Sequence, residues 1–75
     1  MKRERKIDFI SGVVTSDLSG ASLKNKEIAE KVRIKLEKDL NIFVSNKNIV
    51  EDRLKRCNDN YVDDLMIMLG YKQVI

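Results

Sequence analysis

The side chains of this chain best suited to chemistry are Asn46, Lys47, Asn48, Arg53 and Arg56, all within VSNKNIVEDRLKR at 44–56. Their chemistry is recognition. An Asn amide can pair at two points with adenine, an Arg guanidinium with guanine, and a Lys ammonium with phosphate. Lys24 and Lys26 add two more cations at the start of the preceding periodic segment. The plainer reading is that Asn, Lys and Ser are good first-turn residues on a solvated helix.

Catalysis has no comparable support. The chain has no histidine, and Cys57 is its one cysteine. A nucleophile with a base beside it is not to be found. Asp59, Asp63 and Asp64 cluster, but they lack calcium-loop spacing and a second liganding group. The Ser-Gly stretch at 15–22 lacks the Gly-x-x-x-x-Gly-Lys phosphate loop. The expectation is a protein that is not an enzyme, with no metal and no cofactor.

The elements that must position the recognition residues are helices. Ile28, Ala29, Val32, Leu36 and Leu40 make one helical face, with Ile34 off it. Ser22 or Asn25 can cap this helix, and Asn41 can end it in the left-handed conformation. Residues 41–45 suit an extended break. The next helix can start at Ser45, or at Asn48 in a capping box with Glu51. Its apolar row is Val50, Leu54 and Cys57, which makes the cysteine a small core residue.

Upstream, Ile7, Ile10 and Val14 share a face, with a C-terminal cap possible at Gly12. The basic lead-in at 1–6 is either an arm that touches phosphate or, as expected of a terminus, frayed. Downstream, Asn58 can end one helix while Asp59 or Asn60 caps the next. That last helix is apolar over most of its circumference, so it should lie at the centre of the core or in a subunit interface. Gly70 fits the position after it, with Tyr71 folding back on Met66.

The fold class expected is all-α: one compact domain over 1–75, with four helices at 2–13, 23–40, 45–58 and 60–69. The second and third would form a helix-turn-helix-like pair. A winged variant would add a short strand at Phe43 or at Val74-Ile75.

The string VSNKNIVEDRLKR resembles the second helix of helix-turn-helix and winged-helix repressors, and KEIAEKV the helix before the turn. Ala29 stands at the small position where such helices cross. The N-terminal domain of the arginine repressor is the nearest pattern. This chain departs from it in a longer first helix, a turn without glycine and no wing hairpin. The resemblance implies DNA binding, with base contacts from the start of the second helix.

Charge is compatible with that. The net charge is +3, with fourteen Lys/Arg against nine acids over 1–56 and one against three over 57–75. The reading is a small regulator of transcription that binds DNA as a homodimer in the cytoplasm, of bacterial or phage origin, with no membrane segment. The alternative is a protein-interaction module, an inhibitor or adaptor. In either case the surface for self-association or for a partner protein would be Leu65, Ile67, Met68, Leu69 and Tyr71 on the last helix.

The apolar stripe yields a direct test. Val32→Asp places an unpaired charge among Ile28, Leu36 and Val50 and should cost about 4 kcal/mol or more, enough to unfold so small a domain. Circular dichroism on heating should show no cooperative transition in that variant. An unaltered transition would mean the stripe is wrongly placed.

Overall fold

The computed structural model describes residues 2–71. Four helices account for most of them: α1 (Arg3–Thr15), α2 (Leu23–Leu40), α3 (Lys47–Lys55) and α4 (Asp59–Met68). No strand occurs among the described residues. A strand at Phe43 is therefore not formed, and Val74-Ile75 lie outside the described residues.

Local chemistry explains the ends of α2 and α4. Ser22 caps α2 by accepting from the backbone N–H of Asn25, and Asn41 ends it at φ 53° and ψ 52°, in the left-handed region. At the end of α4, Gly70 takes φ 95°. Its N–H then reaches the Ile67 carbonyl at 3.0 Å, and that of Tyr71 reaches the Met66 carbonyl at 2.9 Å. That is the two-bond Schellman ending, and it turns the Tyr71 ring onto Phe9, edge to face at 4.8 Å.

Two other boundaries differ from expectation. Gly12 lies inside α1 rather than capping it, because Val14 beyond it is buried against the core. Burial outweighs the modest helix penalty of one glycine. Asn58 neither ends α3 nor leaves capping to its neighbours. Its side chain accepts from Tyr61 N–H at 2.8 Å, so it caps α4 itself.

The centre of the molecule is α1, and not the last helix. It packs on each of the other three, whereas α2 touches α3 only lightly. Ile7, Ile10 and Val14 meet Val32 and Leu36 of α2, Val50 and Leu54 of α3, and Val62, Leu65 and Met66 of α4 in a single cluster. Ser11, fully buried within α1, donates its hydroxyl to the Ile7 carbonyl at 2.7 Å and so carries no unpaired polar atom inward.

Ion pairs give the directions. Arg3 pairs with Asp59, and Lys6 with Asp63 at 2.7 Å, so α1 and α4 run parallel. Arg3 also donates to the carbonyls of Leu54 (3.2 Å), Lys55 (3.0 Å) and Cys57, while Lys47 at the other end of α3 pairs with Asp8. Hence α3 runs antiparallel to α1. The start of α1 is thus helical and tied down instead of frayed, because Arg3 finds four acceptors there. Met1 lies outside the described residues.

Arg3 satisfies the carbonyls that end α3, where the helix dipole favours a cation, and the first-turn carboxylate of α4. Losing several charge-assisted hydrogen bonds, Arg3→Ala should destabilise the domain by about 2 kcal/mol, measured by urea unfolding. Arg3→Lys keeps the charge and loses the planar fork, so it should recover only part of that. Wild-type stability in Arg3→Ala would show that the fork holds nothing together.

Candidate nucleic-acid interface

The segment between α2 and α3 fixes what the molecule presents there. After Asn41 the chain crosses to α3 without regular structure, and the Ser45 N–H turns back to the Phe43 carbonyl at 3.1 Å. Ile42 and Val44 are half-buried, and Phe43 between them is 84% exposed. Glu37 of α2 accepts from Val44 N–H at 3.1 Å, which anchors the segment back onto its own helix.

Helix α3 starts one residue after Asn46. The Asn46 side chain accepts from Ile49 N–H at 3.0 Å, so Asn46 is the cap, in place of Ser45 or Asn48. The reciprocal pair of Asn48 and Glu51 is correspondingly not made. The helix ends at Lys55, earlier than the expected 58, where Arg3 takes up its last carbonyls.

These facts sort the residues expected to bind. Asn46 spends its side-chain oxygen on the cap. Lys47 lies 2.6 Å from Asp8 and 3.8 Å from Glu51, and its ammonium is held above the usual lysine range, chiefly by the hydrogen bond to Asp8. Asn48, in the first turn, is exposed and takes no part in capping. Arg53 is half-exposed and Arg56 exposed. Asn48, Asp52, Lys55 and Arg56 fall at i, i+4, i+7 and i+8, the outward face of α3. Sequence reading passed over Lys55, which this spacing could have found, and Asp52, an anion in the middle of a face meant for phosphate.

Lys24 and Lys26 lie away from the end of α3. Both are exposed in the first turn of α2, and Lys26 lies beside Val13, Val14 and Leu18, at the end of α1. The end of α3 is held at Arg3, at the start of α1. Val13 lies ten residues along α1 from Arg3, about 15 Å at 1.5 Å per residue.

The residues expected on a dimer or partner surface also divide. Leu65 is fully buried in the core, because it faces α1, and is no surface residue. Ile67 (53%), Met68 (36%) and Tyr71 (47%) are exposed, and Leu69 is half-buried. Cys57 is half-buried, donates to the Arg53 carbonyl at 3.4 Å, and has its thiol pushed up by burial, which suits a packing role.

A second polar cluster closes the far end of α2. The Tyr61 hydroxyl donates to Asp39 at 3.0 Å, Lys35 pairs with Asp39 at 3.0 Å, and the Lys35 ammonium stands 5.3 Å from the centre of the Tyr61 ring. The carboxyl of Asp39 is held below its usual range by Lys35 first and Tyr61 second. This cluster takes Lys35 out of the cations available to a ligand and leaves Lys38 exposed beside it.

No family model, curated protein or solved structure matches the chain.

The Tyr61 phenol is raised well above its ordinary value, by burial first and by Asp39 second. A raised phenol stabilises the fold fully below the ordinary tyrosine value of about 10 and loses that contribution as pH rises above it. Alkaline absorbance titration should therefore show a late phenolate that disappears in Tyr61→Phe. If Tyr61 ionises in the ordinary range, the Asp39–Tyr61 contact is not formed in solution.

Proposed function

We propose that this domain is a small non-enzymatic regulator that binds DNA through the outward face of α3. The observation that carries the reading is the position of Asn48. It stands exposed in the first turn, free of capping, with Lys55 and Arg56 two turns on along the same face. Asp52, one turn on from Asn48, is the anion on that face.

Roles follow from chemistry. Asn48 reads a base edge, and Arg56 and Lys55 take phosphates or guanine. Lys24 and Lys26, toward the end of α1 opposite Arg56, add backbone contacts. A domain this small gains useful affinity by binding two half-sites as a dimer. Ile67, Met68 and Tyr71 supply an apolar surface for the pairing.

That surface also supports a second reading, a protein-interaction module, since exposed aromatic and methionine side chains at one helix end favour interfaces. It predicts a partner protein and no affinity for DNA.

The test is binding to mixed duplex DNA across a salt series. Wild type should show a steep salt dependence. Arg56→Ala should flatten the slope by about one unit, while Lys47→Ala, already neutralised by Asp8, should change it far less. Asn48→Ala should cost roughly 1–3 kcal/mol of discrimination at one base pair and leave the slope alone. Asp52→Asn should tighten binding by removing a charge that repels phosphate. Lack of retention by the wild type at low salt would overturn the reading in favour of a protein partner.

A further inference from the structure

We draw no further inference here: the strongest candidate, the apolar cleft of about 330 Å³ lined by Phe9, Val13, Leu18, Ile28, Leu69 and Tyr71 where the end of α4 meets α1 and α2, is an unpartnered surface, and nothing in the structure shows what covers it.

Discussion

The guanidinium of Arg3 joins three elements, α1, α3 and α4, at one point. It donates to the carbonyls of Leu54, Lys55 and Cys57 and pairs with Asp59, so the end of α3 and the start of α4 meet at the start of α1. Four-helix chains of this size bury little surface, and a directional tie at the place where three helices converge sets the angle at which the rest can pack. Lys6 and Asp63 extend the tie by one turn. Two cations at the start of α1 oppose its own dipole, and the carboxylates of α4 offset that cost.

The surface follows from this arrangement. Because α3 is held along α1 at both ends, by Arg3 and by the Lys47–Asp8 pair, its opposite side faces outward. That side carries Asn48, Asp52, Lys55 and Arg56. The connection from α2 then crosses from the end of one helix to the start of the other in a short irregular run, tied to α2 by Glu37 on the Val44 N–H. The proposed binding face is thus a consequence of where α1 grips α3.

How far the sequence shows all this depends on distance along the chain. The cap at Ser22, the left-handed Asn41 and the turn at Gly70 are legible because each depends on residues a few positions away. The stripe of Ala29, Val32 and Leu36 is legible from its period, and those side chains are buried. The start of α3 was harder to place because Ser45, Asn46 and Asn48 can all cap, and local chemistry does not rank them. Asn46 takes the role, with Val50 and Leu54 turned into the core and Asn48 left exposed. Arg3 and Lys47 were not legible as structural ties. Their partners are distant in sequence, and a basic residue at a terminus or helix start looks the same whether it meets a phosphate or an aspartate. Leu65 was misread for a related reason: on a helix apolar nearly all round, the pattern does not say which side meets α1.

The central claim is that the outward face of α3 forms a nucleic-acid surface. The most direct measurement is amide chemical-shift mapping during titration with a mixed duplex at low salt. The account predicts that the largest changes fall at Asn48, Lys55 and Arg56, with little at Ile67, Met68 and Tyr71 beyond any effect of dimerisation. Changes confined to Ile67, Met68 and Tyr71, or none anywhere, would contradict it.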